Sequence, residues 1–211
     1  MWKIFIDKLD SIDKHLMLLL NYDGGYMQDC FWLFMSSRIL WVVPSLLFII
    51  YVFKHFNHAE AISMIVAMAV TVALCDQVSS SVIKPFFARL RPSHVPEFEG
   101  LLHLVNGYRG GQYGFVSSHA TNSFGAVSLA SLIINKRWTT CFLTTLALCV
   151  CYSRVYLGVH YPADVICGGM LGVFIGFCVY HAMRNTLNMT RQTKLRLALI
   201  ICVFVVGNSN M

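Results

Sequence analysis

Charge is scarce in this sequence. Asp, Glu, Lys and Arg make up 12% of the chain and hydrophobic residues 57%, whereas soluble domains carry about 25% charge. A water-soluble fold of 211 residues has no way to hide that much apolar surface, so the composition points to an integral membrane protein. Paired cysteine motifs are missing as well. The eight cysteines (Cys30, Cys75, Cys141, Cys149, Cys151, Cys167, Cys178, Cys202) lie mostly in apolar stretches and form no CxxC. They read as buried free thiols, neither a disulfide framework nor a zinc site. The net charge of +6 comes without a basic stripe interleaved with aromatics, which argues against nucleic acid as a partner. No carboxylate cluster suited to a divalent ion stands out, so neither a metal nor another cofactor is expected. The first twenty residues alternate charge and hydrophobe, and no cleavable signal peptide is expected there.

What is present is a series of apolar runs. Residues 2–20 place Ile4, Phe5, Leu9, Ile12, Leu16 and Leu19 at helical spacing among three lysines and three aspartates. That is too charged to span a bilayer and reads as an amphipathic helix lying in the interface. At about 20 apolar residues per crossing, spans are expected at 31–53, 61–83, 120–134, 141–157, 165–182 and 195–206. The predicted fold is all-α: a polytopic membrane bundle of about six transmembrane helices, one domain over 29–211, preceded by the interfacial segment 1–28. The basic turns near Lys54, at Lys136–Arg137 and from Arg184 to Arg196 fall on one side, which the positive-inside rule makes cytoplasmic. The acidic N-terminal region and the long polar connection 84–119 then face outward. A polar loop of that length is usually functional.

Three short segments meet on that outer side. They are "KPFFARLRP" from Lys84, "VSSH" ending at His119, and "SRVYLGVHYPAD" from Ser153 to Asp164. Together they bring Lys84, Arg91 and Arg154 beside Ser117, Ser118, His119, His160 and Asp164. Arginine forks suit phosphate oxygens. Pro162 is suited to the first position of a helix, which places His160 in the turn before it and Asp164 within reach in its first turn. A carboxylate bonded to one ring nitrogen fixes the tautomer and frees the other nitrogen to attack. The set reads as a phosphoryl-transfer site in which cations neutralise charge without a metal.

These segments resemble the type 2 phosphatidic acid phosphatase family, within the acid phosphatase and vanadium-dependent haloperoxidase superfamily. Its signature is lysine, six residues, Arg-Pro; Pro-Ser-Gly-His; then Ser-Arg, five residues, His, three residues, Asp. The first part is intact at Lys84, Arg91 and Pro92, and the third at Ser153, Arg154, His160 and Asp164. The middle part reads Val116, Ser117, Ser118 and His119, so a serine stands where the family has glycine. The resemblance covers about 61–182. It implies His160 as nucleophile of a phosphohistidine, Asp164 as its orienting carboxylate, and His119 as proton donor to the leaving group. Lys84, Arg91, Arg154, Ser117 and the Ser118 amide would bind the phosphoryl group. By resemblance to bacterial members, the enzyme is expected in the inner membrane with its site facing the periplasm. Undecaprenyl diphosphate and lipid A phosphates lead as substrates, ahead of phosphatidylglycerol phosphate and phosphatidic acid. A haloperoxidase and a non-catalytic lipid-binding protein are the competing classes. The membrane composition opposes the first, and the intact His160, Asp164 and His119 oppose the second.

Other residues carry weaker signals. Asp76, inside the second span with Ser80 and Lys84 at i+4 and i+8, reads either as support for the cations or as a structural hydrogen-bond partner. Arg38 reads as a snorkelling side chain or a headgroup contact. Gly168, Gly172 and Gly176 form a small-xxx-small stripe, better suited to packing within the bundle than to a dimer face. The chain is expected as a monomer or homodimer in the bilayer. "GYRGGQYG", residues 107–114, reads as a flexible lip whose Arg109 reaches the lipid head. His15, His55, His58 and His181 read as interfacial.

Overall fold

A computed structural model describes residues 2–208, with side chains described for 4–188. The regular elements among the described residues are all helices, and the sole β feature among them is an isolated bridge between Leu90 and Tyr113. Helix α1 (Trp2–Leu20) turns Met17 and Asp13 inward, at 0% and 7% exposure, while the apolar stripe from Ile4 to Leu19 stays uncovered. One side of α1 thus packs on the protein, and its apolar stripe is left uncovered by it. Helix α2 (Gly25–Met35) follows. The chain then breaks at Ser36 and Ser37, makes one 3-10 turn (Arg38–Trp41) and enters α3 (Val42–His55). The expected span at 31–53 is therefore two pieces, and the crossing is Arg38–His55. Consecutive serines offer the backbone alternative hydrogen bonds, and the Ser36 hydroxyl is spoken for by Arg154. Arg38 is exposed at the start of the crossing.

Helix α4 (His58–Gln77) opens with a reciprocal capping box between Asn57 and Glu60. It runs through a π-helical segment (Val78–Ile83) into α5 (Lys84–Phe87), one apolar rod of 30 residues. Ala88, in the left-handed conformation, stops it. The π segment changes which residues share a face. The Lys84 amide bonds the Ser79 carbonyl, five residues back, so Lys84 aligns with Ser79 rather than with Ser80 and Asp76 as α-helical spacing predicts.

Helix α6 (Ser118–Ile134) is the central element, packed by α4, α7 (Arg137–Tyr156) and α8 (Pro162–Asn208). The glycine stripe of α8 lies against α6. A Cβ on Gly168 would stand 2.7 Å from the Ser117 carbonyl oxygen, one on Gly176 2.6 Å from that of Gly125, and one on Gly172 would collide with the Thr121 carbonyl. The stripe is consumed inside the bundle. Among the described residues, four helices are long and apolar enough to cross a membrane: Arg38–His55, His58–Phe87, Arg137–Tyr156 and Pro162–Asn188. The backbone of α8 continues unbroken beyond them, and the side chains of the expected span at 195–206 lie outside the described residues. Tyr51 donates to the Ile134 carbonyl and Lys136 stands 5.9 Å from the Tyr51 ring, so the basic turns after α3 and after α6 share one end of the bundle.

Candidate active site

The opposite end holds the polar cluster. Three breaks in the helical rods create it: the end of α5, the N-terminus of α6, and the five-residue turn between α7 and α8. Ser117 caps α6 from an extended conformation, and its amide donates to the Asp164 carbonyl at 3.0 Å, fixing the start of α6 to the start of α8. Lys84 donates to the Ser118 hydroxyl at 2.8 Å, and Ser79 donates to the same oxygen at 2.9 Å. Ser118 sits in the first turn of α6 and is absent from the residues with positive φ. The serine in the family's glycine position is therefore unstrained, and its hydroxyl fixes the lysine.

Arg91 is 8% exposed, with its amide bonded to the Gln112 carbonyl and its Nε donating to that of Tyr113 at 3.1 Å. The glycine-rich segment 107–114 is thus laced to the Arg89–Arg91 stretch rather than hanging free. Gly114 passes so close that a Cβ would lie 2.8 Å from Asp164 Oδ2. Arg154 is 2% exposed, reaches the Ser36 hydroxyl through Nη1, and lies 5.8 Å from the Tyr108 ring centroid. His160 and Asp164 are almost fully buried, with Nδ1 and Oδ2 3.3 Å apart; the same Oδ2 accepts from the Tyr161 amide at 3.1 Å. Burial first, then the charges of Arg91, Arg154 and Lys84, hold the His160 imidazole well below its usual pKa, so the ring is neutral. The same three cations and His160 lie within electrostatic reach of His119.

Three buried donors here have no partner among the described residues: Arg91 Nη1, the Ser117 hydroxyl and Arg154 Nε. Each orphan costs about 1–3 kcal/mol, more for a charged group. Clustered like charges in low dielectric add to that. The buried carboxylate nearby, Asp164, is already held by Arg89 Nη1 at 2.9 Å. What would satisfy the set is a compact anion with several acceptor oxygens.

The PAP2 superfamily model matches residues 60–188, which include all three segments. The chain belongs to the PAP2 superfamily. Among relatives, a lipid A 4'-phosphatase of Porphyromonas gingivalis is 38% identical over 170 residues, 81% of this chain and 72% of that protein. A Bacteroides thetaiotaomicron protein of the same name is 38% identical over 178 residues, 83% and 78% of the two chains. An undecaprenyl-diphosphatase of Sulfolobus acidocaldarius is 31% identical over 171 residues, 79% and 76%. A solved Bacillus subtilis PAP2-type phosphatidylglycerolphosphate phosphatase superposes with a TM-score of 0.63 at 18% identity, covering 84% of this chain and 87% of that one. Aquifex aeolicus LpxE gives 0.58 at 22% identity, covering 78% and 92%.

Two residues expected near this PAP2 site stand apart from its centre. Asp76 is exposed, 3.5 Å from the Asn122 amide; its carboxylate acts on Lys84 through charge, and its carbonyl accepts from Ser79 at 3.2 Å. Arg109 is exposed, and among the described residues it is tied through its carbonyl, which accepts from Ser93, rather than its guanidinium. The segment 107–114 meets the cations through Tyr108 instead. The sequence alone assigns no role to Arg89, Ser79 or Ser36. Arg89 had a signal, since it is a basic residue outside the positive-inside pattern. The two serines had none, because their role depends on where a remote arginine or lysine lands.

Proposed function

We propose that this chain is a membrane lipid phosphatase that removes a phosphate from a lipid A type headgroup by way of a phosphohistidine on His160. The single observation that carries this is the carboxylate-held imidazole beside three buried donors that have no partner among the described residues. His160 Nε2 attacks phosphorus while Asp164 holds the proton on Nδ1. Lys84, Arg91, Arg154, Ser117 and the Ser118 amide take the three equatorial oxygens, whose charge grows at the transition state. The P–O bond to the lipid breaks and His119, held neutral by burial and the cations until the negative charge of the bound phosphate offsets them, gives the proton taken up with the substrate to the departing oxygen. A water that then gives its proton to His119 splits the P–N bond, releasing phosphate and restoring both histidines. The lipid A reading is favoured over an isoprenoid diphosphate by the 38% relatives, against 31% for the undecaprenyl-diphosphatase. The deciding measurement is phosphate release in detergent from bisphosphorylated lipid A, undecaprenyl diphosphate and phosphatidylglycerol phosphate side by side. Lipid A should turn over fastest, and a preference for the isoprenoid would reassign the substrate.

Lys84 and the arginines provide the neutralisation that a divalent ion gives other phosphatases. The one His/Asp group spaced for an ion among the described residues, Asp23, Asp29 and His103, shares no residue with the cluster and is knit together by His103–Asp29 and Tyr156–Asp29 bonds of 2.8 and 2.6 Å. Activity should survive excess EDTA, and vanadate should inhibit as a trigonal-bipyramidal mimic on the same donors. Chelator inhibition reversed by magnesium would refute this.

The site should open to the periplasmic side of a bacterial inner membrane, since the two basic turns lie at the other end. Single cysteines at Gln112 and Asn135, both exposed, in a cysteine-depleted background report this. An impermeant thiol reagent on intact cells should label position 112 and spare 135. The reverse pattern would place the site in the cytoplasm.

A further inference from the structure

We propose that Arg89 and Asp13 are positioning residues through which the interfacial helix α1 sets the orientation of Asp164. This rests on the reading of His160 and Asp164 as the nucleophile and its orienting carboxylate. Arg89 lies between the two elements as a fork. Its Nη1 donates to Asp164 Oδ1 at 2.9 Å, and its Nη2 donates to Asp13 Oδ2 at 2.8 Å and Asp10 Oδ1 at 2.9 Å. Asp13 uses its other oxygen, Oδ1, to accept from the Ala163 amide at 2.9 Å, capping the helix that carries Asp164. The guanidinium also lies 4.0 Å over the Tyr161 ring, between His160 and Pro162. Both oxygens of Asp164 are thereby assigned: Oδ1 to Arg89, Oδ2 to the Tyr161 amide and His160.

A carboxylate with one oxygen unheld can rotate about its terminal torsion, which is a broad, two-fold well. Rotation would carry Oδ2 away from Nδ1 and release the tautomer. Arg89 removes that freedom, and Asp13 removes Arg89's own. The grading of side-chain exposure follows the chain of command, from Asp164 (0%) through Asp13 (8%) to Asp10 (41%). Met17, one turn beyond Asp13 and fully buried, packs with Tyr161, Val155 and Ala120, so the same face of α1 is anchored beside the site by burial. Helix α1 thus belongs to the catalytic apparatus as well as to the membrane surface.

The experiment measures kcat and KM of the full-length protein in detergent, with lipid A as substrate and free phosphate as product inhibitor. Arg89→Gln should lower kcat roughly 10- to 100-fold, the scale of a misplaced reacting group, with KM and phosphate inhibition within about twofold. Arg89→Lys should recover part of the loss. Asp13→Asn should lower kcat less than Arg89→Gln, and Asp10→Asn less again, because the Asp10 side chain is 41% exposed and holds Arg89 from the solvent side. Because the two act as a unit, Arg89→Gln with Asp13→Asn should be no worse than Arg89→Gln alone. An unchanged kcat in Arg89→Gln, multiplying losses in the double variant, or a loss confined to KM would overturn the proposal. His160→Ala is run alongside. If it is active, the reading of the site fails; if it is inactive while Arg89→Gln is unaffected, only this proposal fails.

Discussion

His160→Ala is expected to lose phosphatase activity by roughly 10⁴-fold or more, the scale seen when a covalent nucleophile is deleted from an otherwise intact site. The side chain lies in the turn between α7 and α8, where the backbone is held independently of the ring by the Leu157, Gly158 and Val159 amides bonding back to α7. The fold should therefore persist, and the purified variant should elute and melt like the wild type. It should also yield no phosphoenzyme on acid-free denaturation during turnover, whereas the wild type should yield an acid-labile one. The pH dependence follows from the same burial. The imidazole pKa is lowered by desolvation and by Arg91, Arg154 and Lys84, so the ring remains neutral at pH 7 and its protonation becomes inhibitory only as the pH falls below the ordinary imidazole range. The acid limb of kcat/KM assigned to His160 should thus lie below about 6.5, and an acid limb above that value would contradict the charge environment. Retained turnover in His160→Ala would remove the covalent mechanism altogether.

The spacing of chemistry-bearing residues was legible where it follows from local backbone geometry. Lysine and arginine seven residues apart across a helix end, and histidine and aspartate four apart across a helix start, are distances that local backbone geometry alone dictates. The six-residue apolar stripe of α1 was legible for the same reason. What was not legible depended on tertiary placement. Asp13 reads as part of the polar face of an interfacial helix, yet it is buried because that face meets Arg89 and the N-terminus of α8. The π segment at Val78–Ile83 has no sequence marker beyond three serines, since its register is set by Lys84 and Ser79 both reaching Ser118. The span at 31–53 looked continuous because hydropathy does not register a break that satisfies a buried arginine from another helix.

The same placement explains why so many cations are tolerated away from water. Arg89 is fully paired, with three carboxylates around it, and serves structure. Arg91 and Arg154 are only partly satisfied, each keeping one buried donor without a partner. A buried charge is costly unless it is paired, so the two kinds of arginine separate by their partners: the paired one holds a side chain, and the two partly satisfied ones are those proposed to bind the phosphoryl group.

The second large effect is expected at His119, and it should depend on the leaving group. His119 sits in the first turn of α6, adjoining Ser117 and Ser118, with His160 and all three cations in electrostatic reach. A sugar or alkyl oxygen leaves as a strongly basic alkoxide unless it is protonated as the P–O bond breaks, and general acid catalysis is worth about 10²–10⁴-fold. An aryl phosphate such as p-nitrophenyl phosphate departs as a weakly basic phenolate and needs no proton. His119→Ala should therefore lower turnover of lipid A phosphate by about 10²–10⁴-fold while slowing formation of the phosphohistidine from the aryl ester by far less. With the aryl ester the second half-reaction, hydrolysis, then becomes limiting, because the same ring activates water. A burst of nitrophenolate stoichiometric with enzyme, followed by a slow steady state, is the expected trace. His160→Ala should give neither burst nor steady state with either substrate. Equal losses on both substrates with no burst would assign His119 to phosphate binding instead of proton transfer.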